Sequence, residues 1–206
     1  MTQTLALHPA QSRGISPSGA PVGWWLVAVC FLIFAMVVLG GVTRLTDSGL
    51  SIVDWRPLMG ALPPLNDESW AVVFERYRAF PEYQKINAGM TLAAFKSIFW
   101  FEYAHRLLGR VIGIAFLLPL LFFVLTGRVS GAMVPRMAAL FVLGGLQGLL
   151  GWYMVQSGLV DRPDVSQYRL TAHLGLAVLL YGYMLWIALA LLFPVSGVAK
   201  NVAVGA

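Results

Sequence analysis

Only three histidines occur in this 206-residue chain, and two of them stand at the ends of long apolar runs. His105 follows Phe101-Glu102-Tyr103-Ala104, and His173 follows Leu170-Thr171-Ala172. The third, His8, falls in a polar stretch near the start. An imidazole at the edge of a bilayer core is costly to place and usually has a task there. Two at matching depth can clamp one metal or one heme between helices, the arrangement of bis-histidine ligation in a four-helix bundle. Gly109 and Gly113 follow His105 at intervals of four, on one helical face, and Ala177 and Tyr181 do the same after His173. Small residues beside a ligand leave a slot where a flat macrocycle can lie against the backbone. The plainer alternative is that each histidine hydrogen-bonds a neighbouring helix.

Other groups of matching chemistry lie close by. Glu102 precedes His105 by one turn, where it can carry a proton or accept the imidazole N–H. It can equally pair with Arg106 at i+4, a pair worth little if exposed. Arg44, Arg106, Arg110 and Arg169 collect at the same ends of their apolar runs. Arginine binds carboxylates bidentately, so these four are candidates for heme propionates. Snorkelling to lipid phosphate is the competing reading for each. Gly144, Gly145, Gly148 and Gly151 surround Gln147. Small residues let membrane helices approach closely, and an interior amide can bond across helices.

The elements that must hold these groups are membrane spans. The chain is 59% hydrophobic and only 11% charged, with a mean hydropathy of +0.77. Soluble domains carry about 25% charged residues. Four runs of about 20 residues, at 23–42, 107–126, 137–155 and 171–193, are each long enough to cross a hydrocarbon core of roughly 30 Å. The expected fold is therefore all-α: a polytopic four-helix transmembrane bundle, residues 23–193, with a long structured first outer loop over 43–106. The stretch 1–22, rich in Pro, Ser and Gly, is expected to be a disordered cytoplasmic tail, with no removable signal peptide, and 194–206 a short cytoplasmic tail. A net charge of +5 does not indicate nucleic acid, because the basic residues lie at span ends and in loops. With the N-terminus inside, the inner segments carry Arg13, Arg128, Arg136 and Lys200 and no acid, and the outer ones ten basic and nine acidic residues. That asymmetry places both termini in the cytoplasm. Cys30 is the only cysteine, which excludes disulfide frameworks and cysteine-based metal sites within one chain.

Finer signals organise the rest. Trp24-Trp25 at the start of the first span reads as an interfacial aromatic pair. Asn66 or Asp67 can cap a helix over 68–79 with Trp70, Val73, Phe74 and Tyr77 on one face. Such a helix would lie on the membrane or cover the mouth of the bundle. Thr91 can cap another that either stops or runs unbroken into the second span. A weak repeat links Leu39-Gly40-Gly41 and Ser48-Gly49-Leu50 to Leu146-Gln147-Gly148 and Ser157-Gly158-Leu159, the pattern of two helical hairpins of one design.

The segment Gly40-Gly41-Val42-Thr43-Arg44-Leu45-Thr46-Asp47-Ser48-Gly49-Leu50-Ser51-Ile52 closely resembles the heme A synthase family, in its alphaproteobacterial and mitochondrial branch. So do Pro63-Pro64-Leu65, Pro81-Glu82-Tyr83-Gln84, Gly89-Met90 and the run from Phe99 through Glu102 and His105 to Arg110. The likeness continues through 146–155 to Thr171-Ala172-His173 and covers roughly 23–190. The resemblance implies an inner-membrane enzyme that oxidises the C8 methyl of heme O to a formyl group, giving heme A for cytochrome c oxidase. It implies His105 and His173 as axial iron ligands for the substrate heme O, and Glu102 and His105 as catalytic residues. Heme O synthase and cytochrome oxidase assembly factors are the implied partners, beside membrane lipid.

Two departures bear on what transfers. Some bacterial members have a cysteine pair in the first outer loop, and this chain has none there. Family members have eight spans in two homologous halves, the second thought to hold heme b, and the likeness here is to the first half. A fragment, a split gene product, and a protein that pairs with a C-terminal half or with another copy all remain open. Two further functions compete: a bis-histidine heme-binding or electron-transfer subunit without oxygenation activity, and a purely structural membrane subunit.

Overall fold

Residues 19–54, 59–160 and 165–194 are described by the computed structural model, and every long element among them is a helix. In chain order these are α1 (Ala20–Leu45), α2 (Asp67–Arg78), α3 (Pro81–Lys85), α4 (Leu92–Leu125), α5 (Val134–Gly158) and α6 (Gln167–Leu192), with a short 3-10 turn at Met59–Ala61. α1, α4, α5 and α6 are long and apolar enough to cross a membrane, so the chain is a polytopic four-helix membrane bundle. All four start before the expected spans, and the start of α4 is set by the Thr91 cap rather than by hydropathy. α1 starts at Ala20, inside the expected tail, with Pro21 in its first turn, where a missing N–H costs nothing. The remainder of that tail, 1–18, and the expected tail from 195 onward lie outside the described residues.

Thr91 accepts a hydrogen bond from the Ala94 amide at 3.3 Å and starts α4, which then runs without a break to Leu125. The helix capped by Thr91 and the second span are thus one rod. Just before it, the Met90 amide donates to the Asn87 carbonyl at 2.9 Å while Gly89 adopts φ +84°. A turn with left-handed backbone at its third position favours glycine there.

The long helices alternate in direction. α1 packs most extensively along α6 and α4, and α5 closes the bundle more lightly against α6 and α4. Two separate cores hold the structure. The first fills the end of the bundle away from the 46–91 segment, with Leu26 and Val29 of α1, Phe116 and Leu120 of α4, Met137 and Leu140 of α5, and Met184 and Ile187 of α6. Trp25 belongs to this region: its indole donates to the Ala115 carbonyl at 2.8 Å, and its ring packs on Phe116 and Phe123. Only Trp24, 63% exposed, keeps the outward position expected of an interfacial pair.

The second core lies at the capped end. Asn66 and Ser69 form a reciprocal capping box at the start of α2, so the helix expected over 68–79 begins one residue earlier. Its buried face presents Trp70 and Tyr77, with Val73 and Phe74 beside them, to Phe95, Phe99 and Tyr103 on the first turns of α4. Edge-to-face ring contacts such as Trp70–Phe99, with centroids 4.9 Å apart, stabilise this cap beyond simple burial. Between the two cores lies a layer in which no residue is buried on any of the four long helices: 31–42 of α1, 104–115 of α4, 141–157 of α5 and 167–179 of α6. His105 and His173 both fall in that layer.

Candidate functional site

Each histidine of the middle layer rests on a glycine of the helix that precedes it in its hairpin. A Cβ built on Gly40 of α1 would lie 3.0 Å from Cε1 and 3.5 Å from Nδ1 of His105 on α4. A Cβ on Gly151 of α5 would lie 2.9 Å from Cε1 and 3.4 Å from Nε2 of His173 on α6. On both rings Nδ1 is shut away without a hydrogen-bond partner. A hydrogen bond through that nitrogen to a neighbouring helix is therefore not what holds either ring. The two imidazoles are near enough to interact electrostatically.

The surroundings leave room for a flat group. Gly113 and Gly175 meet nothing within 4 Å of a built Cβ, and Gly109 meets only the methyl end of Met36, at 3.5 Å. Gln147 donates to the His173 carbonyl at 2.8 Å, the interhelical amide bond expected of it, and ties α5 to α6. The glycines around it behave less uniformly than expected. Gly144, Gly145 and Gly148 meet nothing within 4 Å, so within this chain only Gly151 makes a close approach, and it does so to a ring rather than to a backbone.

This donor set fits a heme. No group of three metal-ligating side chains occurs among the described residues, and heme iron needs only axial ligands from the protein. His105 and His173 would supply two, from α4 and α6, in a layer where no residue of the four long helices is fully buried. Neither ring is committed to a hydrogen bond through Nδ1, and each sits against a glycine of the neighbouring helix.

Glu102 takes another course. It does not reach Nδ1 of His105. Its Oε2 accepts from the Ser51 hydroxyl and the Ile52 amide, both at 2.7 Å, and its Oε1 from Arg106 at 2.5 Å. The pair with Arg106 is buried rather than exposed, and Arg106 also donates to the Ile52 carbonyl at 2.8 Å. Arg106 and Arg110 share a cavity of about 230 Å³ beside Ile52, Asp54, Pro63 and Arg76. Arg44 and Arg169 do not line it: Arg44 pairs with Asp47 at 3.7 Å, and Arg169 lies over the Tyr153 ring at 4.8 Å.

One buried carboxyl escaped the sequence reading. Glu82, at the start of α3, is 4% exposed, and its Oε2 has no partner. Burial pushes its pKa up to about 8, helped by the nearby charges of Glu102 and Asp47. Nothing in Pro81-Glu82-Tyr83 distinguishes it from an exposed first-turn acid. Gly40 and Gly151 were visible as glycines, but their pairing with the rings depends on how the helices rotate in the bundle.

Comparison with known proteins places these features in context. The sequence model of the family described as "Cytochrome oxidase assembly protein" matches residues 23–203. A heme A synthase of Parvibaculum lavamentivorans is 59% identical over 171 residues, covering 83% of this chain and 50% of that protein. One from Nitrosospira multiformis is 58% identical over 181 residues, covering 88% and 51%. One from Rhodospirillum centenum is 51% identical over 194 residues, covering 93% and 51%. The chain thus spans about half the length of the curated relatives it matches. No solved structure matches it.

Proposed function

Because this chain belongs to the cytochrome oxidase assembly protein family, we propose that it serves as a heme A synthase, with these four helices as the portion that binds heme O. The reaction is oxidation of the C8 methyl of heme O to a formyl group. The observation that carries this reading is the unburied layer between two cores, into which α4 and α6 each bring one histidine.

In this reading His105 and His173 would hold the heme, whose iron would supply the redox chemistry. Arg106 and Arg110, which line one cavity at the capped end, are candidates for the propionates, with Arg44 and Arg169 as further candidates. Glu102 is the proton-carrying candidate. Its carboxylate is held by the Ser51 hydroxyl, the Ile52 amide and Arg106, which leaves one Oε1 lone pair for a proton. The enzyme sits in the inner membrane with its N-terminus in the cytoplasm, and heme b belongs to the portion of the longer relatives that this chain does not cover. Heme O synthase and oxidase assembly factors are its partners.

The test is heme A formation in membranes. The chain is expressed with a heme O source and the remaining portion of a relative, and extracted hemes are separated and quantified. Heme A is expected, and is lost on His105→Ala or Glu102→Ala. Undiminished heme A in both variants would sink the assignment.

A further inference from the structure

Metal-bound histidines almost always donate their second ring nitrogen to a carboxylate, a carbonyl or water, and that bond fixes the ring's orientation. In this protein the buried nitrogen is Nδ1 on both rings, and no protein acceptor reaches it. Something else must orient the rings. The contacts that remain are steric, and they are tight: the glycine hydrogens of Gly40 and Gly151 occupy the only space left between backbone and imidazole, since a methyl would stand 3.0 and 2.9 Å from the two Cε1 atoms. A ring pressed by a methyl at these distances has to give way, and because χ2 of histidine is a broad torsion the plane of the ring turns as it does so.

We propose that Gly40 and Gly151 are positioning residues for the two ligands, each a seat that sets the plane of its ring and so the direction of the nitrogen left for iron. The device occurs twice. α1 seats the histidine of α4, and α5 seats the histidine of α6, the first helix of each hairpin serving the second. Leu50 and Leu159, which end the two Ser-Gly-Leu segments beyond the seating helices, are both buried. The inference rests on the reading of heme between His105 and His173.

The test uses the full chain purified in detergent and titrated with hemin, followed by optical and electron paramagnetic resonance spectra. The wild type is expected to show a low-spin bis-imidazole signature. Gly40→Ala and Gly151→Ala are expected to lose much of that signature and to bind hemin roughly 10- to 100-fold more weakly, the range for removing groups that orient a metal ligand. Two controls separate seating from packing. Gly41→Ala, where a built Cβ meets nothing within 4 Å, should match the wild type. Gly23→Ala, whose Cβ would stand 2.8 Å from Leu192 in the distant core, should lower thermal stability while keeping the low-spin spectrum. A wild-type signature that survives in both seat variants overturns the positioning role alone, as does its equal loss in Gly23→Ala. No bis-imidazole signal in the wild type overturns the heme reading and the seats together.

Discussion

Glu102 and Arg106 meet at 2.5 Å across one turn of α4, with side chains only 4% and 17% exposed. Between them they hold residues 51–54 from both sides: Glu102 takes the Ser51 hydroxyl and Ile52 amide, and Arg106 gives to the carbonyls of Ile52 and Asp54. Breaking a buried pair leaves one charge uncompensated, which costs roughly 3–5 kcal/mol. Arg106→Met is therefore expected to destabilise strongly, and the double variant Glu102→Gln with Arg106→Met to recover part of the loss. Chemical unfolding of the four proteins checks this. A double variant no better than Arg106→Met would show that the pair is not the source.

Glu82 makes the cap sensitive to pH. Burial holds its folded pKa at about 8, above the 4.5 of a free carboxyl. The folded state therefore holds a proton that the unfolded chain releases. The stability from this group is fully present below about pH 4.5, declines as pH rises towards 8, and is level above that. The groups facing it are Glu102 on α4, Asp47 after α1 and Tyr77 on α2, with no cation among the causes of its shift. The folding equilibrium is expected to weaken by up to about tenfold per pH unit across that window. Glu82→Gln, a neutral carboxyl mimic, should flatten the slope. Stability curves of both proteins from pH 5 to 9 decide it, and an unchanged slope in Glu82→Gln would refute the assignment.

The histidines should matter for heme and little for the fold. Neither ring's Nδ1 has a hydrogen bond to lose, and both lie in the layer without buried residues. His105→Ala and His173→Ala are expected to change ligand-free stability by no more than about 1 kcal/mol, yet each removes the bis-imidazole spectrum. Thermal melts beside hemin titrations give both numbers. Collapse of the ligand-free fold would make the histidines structural.

The cap has a local weak point at its first helix. The Asn66 side chain accepts from the Ser69 amide at 2.8 Å, and the Ser69 hydroxyl lies 3.2 Å from the Asn66 amide. Asn66→Ala is expected to cost about 1 kcal/mol. Faster amide exchange confined to α2, with α4 unchanged, is the expected signature; uniform acceleration would mean that α2 does not open on its own.

What could be read in advance follows from which forces are local. Apolar length located the four spans, because a single continuous run of about 20 apolar residues can satisfy its own backbone in lipid only as a helix. Asn66 and Thr91 announced two helix starts, because caps act over three residues. The histidine pair and the Gln147 bridge were legible as chemistry out of place in an apolar run. Rotation was not legible. A helix apolar all round carries no stripe to show which side faces its neighbours, so the inward turn of Trp25 and the outward face of Gly144 and Gly145 could not be foreseen. Glu82 was hidden for a related reason: its burial comes from the aromatic cap folding over it, a contact between distant segments.

α4 has 34 residues, a length of roughly 50 Å at 1.5 Å per residue, against a hydrocarbon core of roughly 30 Å. Its excess stands clear of the bilayer and carries the cap, while the same rod bears His105 further down. Phe95 of the cap and His105 of the middle layer therefore belong to one continuous helix, so the aromatic cap and the candidate ligand share a single rigid element rather than meeting across a loop.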